Sequence, residues 1–134
     1  MITTEAKYLI NTNEYGRLFD PLCPTRTVLD RIGDKWSVLV LLTLREGRLR
    51  FTDLKKAIGG VTPKVLTQTL RAMERDGLLT REIFAEVPPK VEYELTSLGH
   101  SLEYPISVIA SWAEQHVSQI MHSRECHDKR VDIS

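Results

Sequence analysis

The stretch from Phe51 to Thr96 constrains the fold of this chain more than any other part of its sequence. It contains two short helical patterns separated by Gly59-Gly60, followed by two runs of alternating apolar and polar residues that are typical of strands. Two helices joined by a tight turn and followed by a β-hairpin form the winged helix-turn-helix, whose second helix enters the major groove of DNA. We therefore expect a mainly α-helical fold with a small β-hairpin (α+β), in a chain that binds DNA.

Strong local sequence signals define both ends of the second helix of this unit. Thr62 can cap its N-terminus, and Pro63 at the first helical position sacrifices no helical hydrogen bond. The pattern continues to Asp76, and Gly77 is the usual left-handed terminator. The core side carries apolar residues at helical spacing: Leu66, Leu70 and Met73.

The opposite side of this helix is polar and basic. Because its first turn points into the groove, Lys64, Thr67 and Gln68 are candidates for contacts with base edges. Arg71 and Arg75 lie further along and are candidates for phosphate contacts, which position a protein without specifying sequence. An ordinary solvated helix face would carry the same residue types, but the flanking turn and hairpin favour DNA binding.

Further DNA contacts are predicted around the helix. The strands Leu78–Phe84 and Val91–Thr96 flank the loop Ala85–Lys90, the tip of the wing. The remaining candidate DNA-binding residues are the basic residues of the hairpin, one arginine before a helix start, and the capping threonine: Arg81, Lys90, Arg50 and Thr62.

The charge distribution fits this interpretation. The whole chain has zero net charge, whereas residues 45–81 contain nine basic and four acidic residues, a local charge of +5. A basic face toward phosphate with an acidic body behind it produces such a split, although randomly scattered surface charges remain the alternative.

The rest of the chain divides into helices. The spacing predicts a helix from Thr25 to Ile32 and a second helix capped by Asp34, while Thr52 is the expected N-cap of a helix over Asp53–Ile58. The second helix is apolar nearly all round and should form the buried centre of the domain. Its predicted core face consists of Trp36, Leu39, Val40, Thr43 and Leu44.

A long helix is predicted after Ser97, bent at Pro105. Its apolar stripe has too little partner surface within one small domain and is the expected homodimer interface, unless it folds back on Trp36–Leu44. The interface candidates are Leu98, Leu102, Ile106, Ile109, Trp112 and Ile120. The predicted organisation is an N-terminal arm that contributes to the dimer (1–22), a winged helix-turn-helix domain (23–96), a dimerisation helix (97–122) and a flexible tail (123–134).

Other function classes find less support. The chain lacks a phosphate-binding glycine loop, a nucleophile elbow and a paired His/carboxylate motif, so we expect neither an enzyme nor a bound cofactor. His116, His122, Cys126 and His127 lack the fixed spacing of a zinc site, so we expect no metal. No signal peptide or membrane span is visible, which predicts a cytoplasmic protein. A protein-interaction module and a regulator responsive to a metal or small molecule remain the alternatives.

Several runs resemble the HxlR-type winged-helix family, distant relatives of the MarR regulators. They are Cys23-Pro24, DRIGDKWSVLVLLTL at 30–44, RFTDLKKAI, VTPKVLTQTL, MERDGLL, PPKVEYELT and SLGHSL. The resemblance covers about residues 22–116. It implies a homodimeric bacterial transcription factor, usually a repressor, that binds inverted-repeat operators and responds in some members to small molecules or electrophiles. By position, it makes the helix after Pro63 the recognition helix and assigns dimerisation to the helix after Leu98 and the N-terminal arm.

Cys23 is the candidate redox-sensing residue. It lies just before a helix N-terminus, where the helix dipole stabilises a thiolate and raises its reactivity. Some proteins that resemble this chain use the equivalent cysteine to sense oxidants, whereas a half-buried structural role is the alternative. Nothing in the sequence brings Cys126 near Cys23.

Overall fold

The computed structural model describes residues 19–133, so that most of the predicted N-terminal arm (1–22) lies outside the described residues. In chain order, the elements are α1 (Thr25–Ile32), α2 (Lys35–Leu44), β1 (Leu49–Arg50), α3 (Phe51–Ala57), α4 (Pro63–Arg75), β2 (Leu79–Phe84), β3 (Lys90–Leu95), α5 (Ser97–Ser101) and α6 (Glu103–Ile133). This order of a helix-turn-helix followed by a hairpin confirms the predicted winged-helix fold.

Helix caps follow the local sequence at most ends. The Asp34 carboxylate accepts hydrogen bonds from the backbone N–H (3.1 Å) and the hydroxyl (2.9 Å) of Ser37 at the start of α2. The Thr62 hydroxyl accepts a hydrogen bond from the backbone N–H of Val65 at 3.2 Å, and Gly77 adopts a φ of +77° after α4. These three predictions are confirmed.

The predicted cap at Thr52 is wrong. Helix α3 begins two residues earlier than predicted, at Phe51, and its N-cap position is occupied by Arg50, whose side chain makes no capping hydrogen bond. The reason is nonlocal: Leu49 and Arg50 form a short strand, and the extended backbone of Arg50 runs directly into the helix.

The sheet has three antiparallel strands in the order β1-β3-β2. Strands β2 and β3 pair from Leu79 with Leu95 to Phe84 with Lys90, and β1 adds the pair of Leu49 with Tyr93. The hairpin strands therefore agree with the prediction within one residue at each end, whereas β1 was not predicted. Two residues are too few to show an alternating pattern, and only the pairing with β3 defines them as a strand.

Helix α2 lies at the centre of the core, packed against α1, α3, α4, α6 and β3. Val40 and Leu44 are buried as predicted, but Leu39 is 38% exposed and Leu41 is buried in its place. An all-apolar helix has no polar side to fix its rotation, so its own sequence does not specify which residues face inward. The core is completed by buried residues of the other elements: Leu54, Ile58, Val61, Leu66, Leu70, Met73, Leu78, Leu79, Leu95 and Ile106.

The C-terminal part of the chain differs from the prediction in two ways. The expected single helix is interrupted at Leu102, so that Pro105 lies in the first turn of α6, where a missing N–H is tolerated, and does not bend a longer helix. The segment predicted to be a flexible tail (123–134) is helical as far as Ile133. No proline or glycine follows Pro105, and an ion pair one turn apart joins Glu125 and Lys129 at 3.1 Å.

Candidate nucleic-acid interface

Helix α4 is fixed to the domain along one side. Leu66, Leu70 and Met73 are at most 1% exposed, as the spacing predicts, and Thr69 is buried beside them. With this side held against the core, the opposite side of α4 must face away from the domain.

The exposed side of α4 carries the predicted polar residues. Lys64, Gln68, Arg71 and Arg75 are all exposed. At about 100° per residue, these four lie within an arc of about 60° on the helix. Thr67 lies at the edge of this arc and is half-buried. The four exposed side chains therefore form one strip, which we call the α4 strip.

The two ends of the α4 strip lie in different surroundings. Lys64 and Gln68 belong to the first two turns, after the cap at Thr62. Arg75 is about 16 Å further along the axis and lines a cleft between α1, α4 and α5, together with Arg31 and Asp76. Arg31 is ion-paired with Asp76 at 3.1 Å. Arg75 thus stands beside a paired acid and base rather than beside Lys64 and Gln68.

The hairpin brings a further arginine close to the α4 strip. Tyr93 of β3 is half-buried, and this burial raises the pKa of its hydroxyl. Glu74 also raises that pKa, whereas the nearby charges of Arg81 and Arg71 lower it, so both arginines lie near the same hydroxyl. Arg71 of α4 and Arg81 of β2 therefore contribute positive charge to the same part of the surface, partly offset by Glu74.

The remaining basic residues of the sheet lie on its other face. Residues that pair across strands share a face of the sheet, and successive residues of one strand point to opposite faces. Arg81 pairs with Tyr93, whereas Arg50 pairs with the preceding residue of β3, Glu92, so Arg50 lies on the face opposite Arg81. Lys90 shares this second face with Glu92, to which it is ion-paired at 3.0 Å, and its ammonium lies 4.8 Å from the ring centre of Phe84. Arg50 and Lys90 are consequently not brought together with Arg81.

Sequence reasoning did not single out Arg48. Its guanidinium pairs with Glu82 at 3.2 Å and with Glu94 at 3.3 Å, and this pairing raises its pKa above the ordinary arginine value. Strand alternation indicates that Glu82 and Glu94 share a face, but only the three-stranded register brings Arg48 to them. The second face of the sheet is therefore a network of paired charges rather than a free basic surface.

Cys23 and Cys126 are both free thiols, in different environments. Cys23 is only 5% exposed and lies in the turn before α1, where its backbone N–H donates to the carbonyl of Asp20 at 3.0 Å. Cys126 is exposed on α6, with its Sγ 3.6 Å from Nε2 of His122. Of the four residues considered for a metal site, these two are adjacent, whereas His116 lies six residues before His122 and stacks on Trp112.

The predicted dimer residues fall into two groups. Ile106 is 2% exposed and Leu102 is partly buried against the core, so these two residues stabilise the domain itself, because α6 packs on α2. Leu98, Ile109 and Trp112 remain more than half exposed, and Ile120 is partly exposed. Within the described residues, none of this exposed group packs against the core of the domain.

Comparison with known proteins identifies the family. Residues 31–121 match the sequence pattern of the HxlR-like helix-turn-helix family. This chain belongs to the HxlR family. It is 44% identical, over 110 residues, to the uncharacterised transcriptional regulator YtfH of Escherichia coli, an alignment covering 82% of this chain and 87% of that protein.

Solved structures similar to this HxlR chain are also regulators. The putative regulator YtfH from Salmonella typhimurium superposes with a TM-score of 0.74 and 44% identity, over 81% of this chain and 96% of that one. The redox regulator HypR in its oxidised form gives a TM-score of 0.64 and 38% identity, over 69% and 96% of the two chains. The chain is thus a transcriptional regulator with a helix-turn-helix DNA-binding domain, a class of proteins that are not enzymes. None of the helices in residues 19–133 is both long and apolar enough to cross a bilayer.

Proposed function

We propose that this HxlR-type regulator binds an inverted-repeat operator as a homodimer and represses transcription from it. The observation that carries the proposal is the basic surface formed by the α4 strip together with Arg81. Lys64 and Gln68 read base edges from the first turns of α4, with Thr67 at their side. Arg71 and Arg81 hold phosphates. Arg75 at the far end of α4, Arg50 on the other face of the sheet, and Lys90, which is ion-paired with Glu92, contribute less.

The exposed apolar surface of α1, α5 and α6 supports the homodimer. Val28, Leu98, Ile109 and Trp112 are each between 54% and 57% exposed, and Val28 and Leu98 line the same cleft. Single exposed apolar residues are common, but a row of them on adjacent helices marks an interaction surface. A symmetric pair of chains would bury this row and present two α4 helices to half-sites about one helical turn apart.

The operator contacts are testable through the salt dependence of binding. Each phosphate neutralised by the protein contributes a slope of about −0.9 to log K against log salt. Arg71→Ala should weaken binding to all duplexes and make the slope shallower by about one per half-site. Arg124→Ala, which removes the same charge from α6, is the matched control and should leave the slope unchanged. A slope unaffected by Arg71→Ala removes this residue from the phosphate contacts.

Base recognition is testable through binding preferences. Gln68→Ala should relax the preference at one base pair in each half-site, at a cost of about 1–3 kcal/mol for the preferred sequence. Unchanged preference at every position would contradict the assignment of Gln68.

We further propose that oxidation of Cys23 regulates the operator affinity. Cys23 is nearly buried beside Pro24 at the base of α1, so even one added oxygen atom, as in a sulfenic acid, displaces the turn that precedes α1. Since α1 packs on α2, the displacement alters the relative position of the two α4 helices in a dimer. The description of the structurally similar HypR as a redox regulator supports this proposal.

The thiol proposal is tested by measuring operator affinity by fluorescence anisotropy, with reduced protein and after mild oxidation. Oxidation should change the affinity of the wild type and of Cys126→Ser, and should leave Cys23→Ser unchanged. Equal affinities of reduced and oxidised wild type would show that Cys23 is structural.

A further inference from the structure

We propose that His122 and Cys126, near the C-terminal end of α6, form a binding site for a thiophilic divalent metal ion of the zinc class. The site departs from the sequence-based expectation, in which four scattered ligand-type residues had no suitable spacing. It also lies beyond residue 121, where the match to the HxlR-like family ends. It uses none of the residues assigned to DNA binding, and it does not involve Cys23.

The distance between the two side chains fits a bound metal. His122 and Cys126 are one helical turn apart, and Nε2 and Sγ are separated by 3.6 Å. In a tetrahedral zinc site, with Zn–S near 2.3 Å and Zn–N near 2.05 Å, the edge between sulfur and nitrogen is about 3.6 Å. The structure thus holds both ligand atoms at the separation that one tetrahedral ion requires.

The pair is accessible to ions from solvent. At about 100° per residue, His122 and Cys126 lie about 160° around α6 from Ile106, which faces the core. Both residues are exposed. Their separation from the buried side of the helix also means that replacing either one leaves the core of the domain intact.

The chemistry of the pair selects the ion. A thiolate and an imidazole are the ligands preferred by zinc and similar borderline or soft ions, whereas Mg²⁺ and Ca²⁺ prefer oxygen. On binding, the Cys126 thiol releases its proton to solvent as the metal–sulfur bond forms, and neutral His122 donates its Nε2 lone pair. No third His, Cys, Asp or Glu converges there within the described residues, so water completes the tetrahedron and the ion exchanges readily.

The proposal is tested with Co²⁺ as the probe, titrated into the reduced full-length protein. A cobalt–thiolate bond gives a charge-transfer absorption band in the near ultraviolet. We expect this band in the wild type and its complete loss in Cys126→Ser. Removing a residue that only hydrogen-bonds to a metal ligand lowers metal affinity about 10–100-fold. Because His122 is itself a ligand, His122→Ala should weaken Co²⁺ binding by at least about tenfold.

Two matched controls make the result specific. Cys23→Ser removes the other cysteine and His127→Ala removes the neighbouring imidazole; both should retain the band and the affinity. A wild type without the band, or a band that persists in Cys126→Ser, would overturn the proposal and leave a simple thiol–imidazole hydrogen bond. Neither outcome bears on operator binding, which is measured with metal-free protein.

Discussion

Gly99 provides the sharpest test of how the DNA-binding domain is joined to the long C-terminal helix. It is buried in α5, directly after the hairpin, and a Cβ at this position would lie 2.1 Å from the carbonyl oxygen of Leu78 and 3.2 Å from Cδ2 of Leu95. Since ordinary contacts begin near 3.4 Å, Gly99→Ala forces α5 and the backbone at Leu78 apart by more than about 1 Å. The Thr96 hydroxyl resists this movement, because it donates to the carbonyl of Gly77 and accepts from the N–H of Gly99.

The magnitude follows from two opposing effects. Overpacking a tight site costs about 1–3 kcal/mol, and a clash with backbone lies at or above the upper end of that range. Alanine regains up to about 1 kcal/mol through its higher helix propensity. We therefore expect Gly99→Ala to lower the free energy of unfolding by about 2 kcal/mol, which corresponds to about 7 °C in Tm for a chain of this size.

The assay is thermal and denaturant unfolding followed by circular dichroism, at one protein concentration because a dimer's stability depends on it. Gly59→Ala is the matched control, since its added Cβ meets no atom within 4 Å and its φ is not positive. The control should change stability by less than about 0.5 kcal/mol. If the two variants are equally stable, the packing of α5 on the Leu78 backbone is not as described.

Two further predictions concern the recognition helix and the dimer. Thr62→Ala removes the cap of α4 and should lower the free energy of unfolding by about 1 kcal/mol. Thr52→Ala, at a position without a capping bond, should lower it by less than about 0.5 kcal/mol. Equal losses of stability in the two variants would contradict the capping geometry. Trp112→Glu should reduce the mass measured by analytical ultracentrifugation from dimer to monomer. Ser118→Glu should not, because Ser118 is exposed about 180° around α6 from Ile109. An unchanged mass in Trp112→Glu would remove this residue from the interface.

The parts of the fold that the sequence predicted correctly are those with local causes. Asp34, Thr62 and Gly77 begin or end helices through backbone groups within a few residues, so the helix boundaries they set can be predicted from the adjacent sequence. The exposed side of α4 was predictable for the same reason, because its amphipathic pattern fixes which residues face the core. Helix α2 lacks such a pattern, and its inward face was predicted wrongly at Leu39.

The parts that the sequence did not predict depend on nonlocal pairing. Strand β1 exists only through its contact with β3, and it determines both the start of α3 and the failure of the cap at Thr52. The same register separates Arg50 and Lys90 from Arg81, which a list of basic residues cannot reveal. Ile106 likewise belongs to the same apolar stripe as Ile109, but only the packing of α6 on α2 shows that Ile106 is buried and Ile109 exposed.

The central claim is that the two α4 helices of a dimer read an inverted repeat. It is tested most directly by using the purified protein to select bound duplexes from a pool of random DNA sequences. The selected sequences should form an inverted repeat with half-sites about one helical turn apart. Gln68→Ala should select the same repeat with one position in each half-site relaxed. Selection of no consensus, or of a single unrepeated site, would contradict recognition by paired α4 helices.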